Sequence, residues 1–266
     1  MKSSTPSHSG FECFGLVING IDFETAAQRV EEMNRQGQSA MIVTANPEIL
    51  LYARKHPDYW NILRQADLRL VDSFGLQCAG WAKGAKPARI AGVELASRLI
   101  ELAAKRSWKV ALVGGSREVQ GAPDKAAWEL RKKFPELQIQ AEEIGVVQPD
   151  GEDGESGAEA RFRLTQFAPD LLLVALGHPR QEAWLVRFLH DFPSVKVAVG
   201  VGGTLDYWSG MKKRAPELMR RLGLEWLYRL VREPRRWKRI FDAVVVFPAI
   251  FIYDILSQNN YENKNR

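Results

Sequence analysis

Short, continuous apolar runs alternate with segments of helical periodicity along most of this chain. The runs predict strands buried on both faces at residues 40–44, 68–71, 109–113, 171–175 and 195–199, with weaker strands at 14–18 and 138–141. Between them, apolar spacing of three and four predicts helices, including 25–36 with Thr25 as its N-cap and 93–106. This alternation predicts an α/β fold with a mostly parallel, Rossmann-like sheet and helices on both faces.

The residues that follow these strands are the first candidates for a functional site. In open parallel sheets a ligand binds outside the carboxyl ends of the strands. That rule selects the stretches 44–48, 72–75, 114–116, 177–182 and 200–206. We therefore expect these stretches to meet at one edge of the sheet.

Three of these stretches suggest chemistry directly. The glycines of Gly114-Gly115-Ser116 would let backbone N–H groups approach a phosphate, although a tight turn explains them equally well. Gly202, Gly203 and Asp206 could hold a ribose or a base edge, but Asp206 could instead cap a helix. Asp72 at a strand end is a candidate general base, although a carboxylate that begins a loop is more often a cap.

After Gly210 the strand pattern stops and the chain becomes strongly basic. Residues 211–239 contain eleven Lys and Arg against three Glu, a net charge of +8 in a chain whose total is +5, so the remaining residues sum to −3. Trp226, Tyr228 and Trp237 lie among these cations. Such a segment favours a polyanion, which could be a nucleic acid, an anionic membrane surface or a diphosphate.

The basic segment also has a regular arginine spacing. Four arginines lie three or four residues apart: Arg229, Arg232, Arg236 and Arg239. Pro234 interrupts the helix that would carry them, so we expect two helical pieces whose arginines converge at a bend. The apolar run 240–256 that follows is shorter than the roughly 20 residues of a spanning helix. It favours a helix that lies on a membrane or docks on a partner, but a core helix or a dimer contact fits equally well.

Several function classes lack their usual sequence signals. Cys13 and Cys78 form neither a disulfide framework nor a metal-ligand spacing. The chain has no GxGxxG, which argues against an NAD-dependent oxidoreductase, and no GxxxxGK[ST] phosphate loop. A basic nucleic-acid-binding module remains the alternative for the segment after Gly210, but it gives no role to Asp72, Gln181 or the glycine turns.

Seven segments carry a resemblance to a known family: TANPEIL (44–50), LRLVDSFGL (68–76), RIAGVEL (89–95), LVGG (112–115), LLVALGHPRQEAWL (172–185), VGGTLDYWSG (201–210) and KRAPELMRRLGLEWLYRLVREPRRWKR (213–239). In this order they resemble the bacterial WecG/TagA/CpsF glycosyltransferases. The resemblance implies an inverting enzyme that moves an N-acetylmannosamine-type sugar from a UDP-sugar donor onto undecaprenyl-diphosphate-linked N-acetylglucosamine, in the synthesis of cell-surface polysaccharide.

The resemblance also implies roles for individual residues. Asp72 matches the proposed catalytic base, and Thr44 and Asn46 lie near the sugar. Three tail arginines are expected to close over the active site and contact the donor diphosphate: Arg229, Arg236 and Arg239. The remaining substrate-binding residues are Arg89, Gly114, Gly115, Gln181, Glu182, Gly202, Gly203 and Asp206.

The chain departs from the family pattern at two places. The family usually has Asp-Gly-x-Gly where this chain has Asp72-Ser73-Phe74-Gly75, and serine would restrict the turn if position 73 needs a positive φ. The acidic segment 142–159, with seven Asp and Glu, replaces what we expect to be a shorter family segment.

These inferences together define an expected enzyme. We expect a disordered tail at 1–10, an α/β catalytic domain at 11–210 and a basic, helical, membrane-associating appendage at 211–266. No cofactor or metal is expected, because arginines suit bidentate contact with diphosphate oxygens. The expected partners are the UDP-sugar, the polyprenyl-linked acceptor and the anionic cytoplasmic face of the inner membrane, with no nucleic acid; homo-oligomer formation is left open.

Overall fold

The centre of the protein is a six-stranded parallel sheet. A computed structural model describes residues 10–114 and 120–264, with side chains described as far as residue 257. Its strands are β1 (Phe11–Cys13), β2 (Leu16–Ile18), β3 (Ala40–Ala45), β4 (Leu68–Val71), β5 (Val110–Gly114), β6 (Ile139–Glu143), β7 (Leu171–Ala175) and β8 (Val197–Gly200). The sheet order is β4-β3-β8-β7-β5-β6 with every neighbouring pair parallel, and β1 and β2 form a separate antiparallel hairpin.

Helices connect the strands and cover both faces of the sheet. They are α1 (Phe23–Arg35), α2 (Pro47–Lys55), α3 (Pro57–Gln65), α4 (Phe74–Ala82), α5 (Gly92–Lys105), α6 (Ala122–Lys133), α7 (Glu155–Phe167), α8 (Arg180–Phe188), α9 (Thr204–Trp208), α10 (Glu217–Arg221), α11 (Glu225–Arg232), α12 (Trp237–Phe241) and α13 (Phe247–Lys264). Short 3-10 turns lie at Leu189–Asp191 and Pro234–Arg236, and a π-helical turn at Asp242–Val246 joins α12 to α13. The predicted α/β fold with a parallel sheet is confirmed.

Buried side chains on both sheet faces explain the continuous apolar strands. Successive residues of β3 point to opposite sides, so Met41 and Val43 join one core cluster while Ala40 and Ile42 join the other. All four are buried. A strand covered on both faces has no polar position to alternate with, which is why its sequence reads as one apolar run.

The first forty residues differ from the prediction in two ways. The segment predicted as one strand at 14–18 is a strand only at Leu16–Ile18, because Phe14 and Gly15 adopt positive φ and turn the chain between β1 and β2. Helix α1 begins at Phe23 rather than at Thr25, since the Asp22 side chain accepts the Thr25 backbone N–H at 2.9 Å and is the N-cap.

The helices after Gly210 share the core of the sheet domain. Phe247 and Phe251 are buried in the same cluster as β3 residues, and Phe247 packs edge-on against Phe14 with ring centroids 5.7 Å apart. The two parts of the chain thus share a core, and the predicted domain boundary near residue 210 stays a prediction. Residues 1–9 of the predicted disordered tail lie outside the described residues.

One helical stretch among the described residues, Pro234–Ser257, is long and apolar enough to cross a membrane by length and composition. In the structure, 17% of its most apolar window is buried against the rest of the chain. The prediction that this segment lies on a membrane surface is not tested by its length, because a spanning helix and a surface helix share these features.

Candidate active site

A cavity of about 900 Å³ opens at the carboxyl ends of the central strands, between the sheet and the helices after Gly210. The following residues of the expected site line it: Thr44, Asn46, Asp72, Arg89, Gln181, Gly202, Gly203, Asp206, Arg229, Arg236 and Arg239. Four of the five stretches selected by the strand-end rule, 44–48, 72–75, 177–182 and 200–206, thus contribute residues to one cavity, and arginines of the basic segment line it as well.

Asp72, directly after β4, has its carboxylate held at the cavity by two neighbours. Its Oδ1 accepts a hydrogen bond from the Gly92 backbone N–H at 2.7 Å, and its Oδ2 accepts a long one from Asn46 Nδ2 at 3.4 Å. Burial raises the pKa of Asp72, although the Gly92 N–H and the charge of Arg229 act in the opposite direction. The raised pKa makes the carboxylate a better proton acceptor, and Oδ2 is the oxygen that is held less tightly.

Gly92 is a site residue that the sequence analysis missed. It is the first residue of α5, so its N–H has no partner within the helix and is available to Asp72. A Cβ at this position would lie 3.4 Å from Thr44 Oγ1 and 3.7 Å from Asp72 Oδ1, so the three residues are in close contact. The only sequence signal was the RIAGVEL segment, which gave no reason to prefer its glycine.

Ser73 does not strain the turn that follows Asp72. Its φ is −114°, an extended conformation that any L-residue adopts, so position 73 does not need glycine. The Ser73 hydroxyl accepts the Leu76 backbone N–H at 3.3 Å and is the N-cap of α4. The departure from the family pattern therefore supplies a helix cap.

The glycine turn after β8 is held from two sides. Thr44 is buried and its Oγ1 donates to the Gly200 carbonyl oxygen at 3.2 Å. From α8, Gln181 Oε1 accepts the Gly202 N–H at 2.9 Å. Thr44 was predicted to be a catalytic residue near the sugar and Gln181 to bind substrate; in the structure each fixes the backbone of this turn.

Glu182 lies behind the cavity rather than in its lining. It is fully buried and accepts hydrogen bonds from Tyr59 Oη at 2.9 Å and from Gln181 Nε2 at 2.7 Å. Burial raises the pKa of Glu182 to about 7, even though these two donors oppose the shift. The expected direct contact between Glu182 and substrate is therefore wrong for this structure, because Gln181 separates the carboxylate from the cavity.

The buried Glu182 predicts a pH dependence of stability. In the unfolded chain its pKa returns to 4.5, so between pH 4.5 and about 7 the folded protein holds a proton that the unfolded chain releases. The free energy of unfolding should fall across that window as pH rises, by on the order of 3 kcal/mol at most. Thermal melts at pH 5 and pH 8 should show a smaller loss for Glu182→Gln than for wild type. The exposed Glu24→Gln is the control, and an unchanged slope in Glu182→Gln would contradict the prediction.

Of the predicted phosphate turn after β5, only Gly114 is among the described residues, and it does not line the cavity. Gly114 packs against α6 and α9, where a Cβ would come within 2.7 Å of Pro123 Cγ and 3.4 Å of Leu205 Cδ1. Glycine at 114 thus allows close packing, and both the phosphate site and the tight turn stay predictions. Gly115 lies outside the described residues.

Four arginines of the basic segment line the cavity, and each pairs with a carboxylate: Arg214 with Glu94 at 3.0 Å, Arg229 with Glu225 at 2.7 Å, Arg236 with Glu233 at 2.7 Å and Arg239 with Glu48 at 2.6 Å. Burial would lower the pKa of Arg229, but Tyr207 and Glu225 more than offset it, so the pKa is raised overall. Its Nε–H is buried without a hydrogen-bond partner in the described part of the chain. An unpaired N–H on a permanent cation suits an anionic oxygen.

Arg239 is also tied to the sheet domain. Its Nη2 lies 3.2 Å from His178 Nδ1, and because arginine can only donate, the imidazole must be neutral with Nδ1 accepting. Burial and the nearby Arg239 lower the pKa of His178 to about 4, in agreement with this assignment. Arg239 thus joins α12 to the segments that follow β3 and β7.

Not every basic residue of the segment faces the cavity. Arg232 is exposed and lies over the Tyr228 ring, 5.9 Å from its centroid, so the expected convergence of four arginines is wrong for this one. Arg229 is in the same helix as Arg232, whereas the 3-10 turn at Pro234–Arg236 interrupts the helical spacing between Arg232 and Arg239. Asp206 pairs with Lys212 at 2.8 Å, and both line the cavity.

The acidic segment forms one wall of the cavity through residues 145–149. It is anchored on α8, since Trp184 Nε1 donates to Asp153 Oδ2 at 2.9 Å. Gly151 has a φ of +87°, and a Cβ there would meet the Ala183 carbonyl carbon at 2.4 Å. The wall is therefore packed against the same helix that carries Gln181.

Comparisons with known proteins agree on one family. The model of the family described as Glycosyl transferase WecG/TagA/CpsF family matches residues 11–262. Relatives from Staphylococcus aureus strains MRSA252 and MW2 are each 35% identical over 246 residues, which cover 90% of this chain and 91% of the relative. Both carry the name N-acetylglucosaminyldiphosphoundecaprenol N-acetyl-beta-D-mannosaminyltransferase. With a matching family model across nearly its whole length and relatives of this similarity, the chain belongs to the WecG/TagA/CpsF family of glycosyltransferases.

Proposed function

We propose that this glycosyltransferase moves an N-acetylmannosamine-type sugar from UDP onto undecaprenyl-diphosphate-linked N-acetylglucosamine, with inversion at the anomeric carbon. The relatives' names supply the sugar and the acceptor. The observation that carries the mechanism is the shared cavity, which a half-buried carboxylate, Asp72, lines together with Arg229 and Arg236. A base and fixed cations in one site are what transfer to a hydroxyl with loss of a diphosphate requires.

The proposed reaction assigns each group a step. Asp72 Oδ2 takes the proton of the acceptor hydroxyl while that oxygen attacks the anomeric carbon. The bond from this carbon to the UDP oxygen breaks on the opposite face, and the electron pair leaves with the diphosphate. Arg229 and Arg236 stabilise the charge that grows on the leaving group, because they are positioned before the reaction begins.

Arginine supplies this charge without a metal in our proposal. Each cavity arginine of the basic segment is held by a carboxylate that leaves other guanidinium N–H groups for a ligand, as Arg229 Nε shows. Transfer should therefore continue in EDTA. The described residues contain no group of three or more His, Cys, Asp or Glu suited to a metal. Loss of activity in EDTA that Mg²⁺ or Mn²⁺ restores would reject metal independence.

A binding screen tests the proposed substrate class. UDP and UDP-sugars should raise the melting temperature of the full-length protein, since any ligand that binds only the folded state stabilises it. NAD and short DNA or RNA duplexes serve as comparison ligands for the rival functions. Stabilisation by nucleic acid alone would reject the proposal.

The helical stretch formed by α12, the π-helical turn and α13, which we call the C-terminal helix, presents an apolar surface that we assign to the membrane. Ile240, Phe247 and Phe251 are buried on one side of this helix. The other side exposes large apolar residues along its length: Trp237, Phe241, Val245, Ile252 and Leu256. The exposed cations Arg232, Arg235 and Lys238 lie beside them. Aromatic residues favour the interface, and each cation near an anionic leaflet contributes about 1 kcal/mol.

Removing part of this apolar surface should weaken membrane binding. The double variant Trp237→Ser/Phe241→Ser should cosediment less with vesicles that contain phosphatidylglycerol, because both side chains are about half exposed, at 60% and 49%. Point substitutions are preferable to a truncation at residue 210, which would remove Phe247 and Phe251, two buried members of the core cluster of the sheet domain.

The matched control removes similar apolar residues elsewhere. Trp128 on α6 and Phe162 on α7 are exposed at 53% and 68%, and neither lines the cavity. Trp128→Ser/Phe162→Ser should cosediment like wild type. Equal sedimentation of both double variants would contradict a membrane-docking role for the C-terminal helix.

A further inference from the structure

A buried chain of hydrogen bonds leads from α3 to the glycine turn after β8. Tyr59 Oη donates to Glu182 Oε2 at 2.9 Å, Gln181 Nε2 donates to Glu182 Oε1 at 2.7 Å, and the Gly202 N–H donates to Gln181 Oε1 at 2.9 Å. We call these four residues the relay. The side chains of Tyr59, Glu182 and Gln181 are almost completely buried, with 3%, 0% and 3% exposed.

The chemistry of its ends fixes the direction of the relay. A backbone N–H can only donate, so Gly202 requires the oxygen of the Gln181 amide. Glu182 Oε1 accepts from this amide at 2.7 Å, so it requires the NH₂ group. Burial raises the pKa of Tyr59 well above its usual range, which keeps its O–H as a donor. The Gln181 amide therefore has one orientation, and Glu182 stabilises it from the side away from the cavity.

The relay contacts the turn after β8 closely, and this turn leads to the arginines of the cavity. A Cβ at Gly200 would lie 2.6 Å from Gln181 Nε2, so glycine is needed for the amide to reach its place. The turn continues into α9, whose Tyr207 lines the cavity and interacts electrostatically with Arg229. Asp72, by contrast, follows β4, on the far side of β3 from this turn. The turn thus borders the arginine side of the cavity.

We propose that Glu182 and Tyr59 are positioning residues for the nucleotide donor, which hold the Gly202 turn in its binding geometry through Gln181. This rests on the proposed function, in which the arginine side of the cavity takes the UDP diphosphate. Neither residue touches substrate. Their effect is to keep the Gly202 turn in place, so that donor binding does not have to order it.

Two substitutions remove different hydrogen bonds of the relay. Glu182→Met keeps the length of the side chain but leaves Gln181 Nε2 without an acceptor. It should raise both the dissociation constant of UDP and the KM for the donor roughly tenfold, the scale of one lost hydrogen bond to a charged group, while the acceptor KM stays the same. Tyr59→Phe removes only the outer donor and should raise the same two constants about threefold. Glu182→Gln keeps an oxygen for the Gln181 NH₂ group and should recover most of the affinity lost in Glu182→Met.

The measurements are isothermal titration of the full-length protein with UDP and steady-state kinetics in which each substrate is varied. Tyr52→Phe is the matched control, because its ring packs 5.2 Å from that of Tyr59 but its hydroxyl is not part of the relay. It should match wild type. If Glu182→Met fails to fold, Tyr59→Phe decides the question.

The possible results separate this proposal from the one on which it rests. Unchanged UDP affinity in Tyr59→Phe and Glu182→Met, with normal binding by wild type, would reject the positioning role alone. A fall in kcat with both KM values unchanged would indicate a smaller folded fraction and would reject it as well. A wild-type protein that does not bind UDP would reject the proposed function, and the positioning role with it.

Discussion

Asp72→Asn should lower kcat by roughly 10² to 10⁴-fold, the usual contribution of a positioned general base. Asparagine keeps an oxygen for the Gly92 N–H, so the hydrogen bond of 2.7 Å and the local backbone should survive. What it loses is the basic carboxylate oxygen, since an amide cannot accept the proton of the acceptor hydroxyl at neutral pH. Affinity for UDP should stay close to wild type, because Asp72 acts on the other substrate.

Asp67→Asn is a matched control for this variant. Asp67 lies directly before β4, as Asp72 lies directly after it, and its carboxylate also accepts a backbone N–H, that of Met41 at 2.8 Å. It is at the opposite end of the strand from the cavity and does not line it. Turnover by Asp67→Asn should resemble wild type. Near-normal turnover by Asp72→Asn would mean that another group is the base.

Arg236→Ala should lower kcat by about 10² to 10³-fold, the effect of removing one preorganised group that stabilises developing negative charge. Arg236 lines the cavity and Glu233 holds its guanidinium at 2.7 Å, so it is aimed before substrate arrives. The melting temperature should change little, because Arg236 is only half-buried and its ion pair is partly exposed. Arg236→Lys keeps the charge but not the planar fork, and we expect intermediate turnover.

The neighbouring Arg235→Ala is the control for charge alone. Arg235 is in the same 3-10 turn but is exposed and does not line the cavity. With a short, water-soluble acceptor, which removes any need for membrane binding, Arg235→Ala should match wild type. Equal losses in both variants would attribute the effect to net charge rather than to a contact with the diphosphate.

The sequence was informative where one physical rule dominates. The sheet could be predicted because strands buried on both faces must be continuously apolar, as in β3 and β7. The cavity could be located because parallel strands end at the same edge, which brings Thr44, Asp72 and Gln181 together. Neither inference needed side-chain detail.

The missing parts depend on contacts between distant segments. Gly92 holds Asp72 across 20 positions of sequence, and the Glu182 carboxylate is turned away from the cavity toward Tyr59, 123 positions away. The pairing of Arg239 with Glu48 spans 191 positions. No periodicity or local motif encodes such pairs. The family resemblance identified the segments but could not say which of their side chains reach the cavity.

The packing of the C-terminal helix against the sheet domain also could not be predicted from the sequence. Composition separates the residues after Gly210 from the sheet domain, yet two of them, Phe247 and Phe251, are buried in the core of that domain. Both lie in a run that is apolar on all sides, so its pattern could not show which side is covered. Only the packing distinguishes the buried side from the exposed one.

The central claim is that Asp72 and the tail arginines form one site for inverting transfer. Its most direct test is the product formed by the full-length protein from UDP-N-acetylmannosamine and a short-chain lipid-diphosphate-N-acetylglucosamine, identified by mass spectrometry and by the anomeric coupling in its NMR spectrum. The account predicts the addition of one N-acetylhexosamine with a β linkage from the α-configured donor. An α-linked product, or the absence of transfer with this pair of substrates, would contradict it.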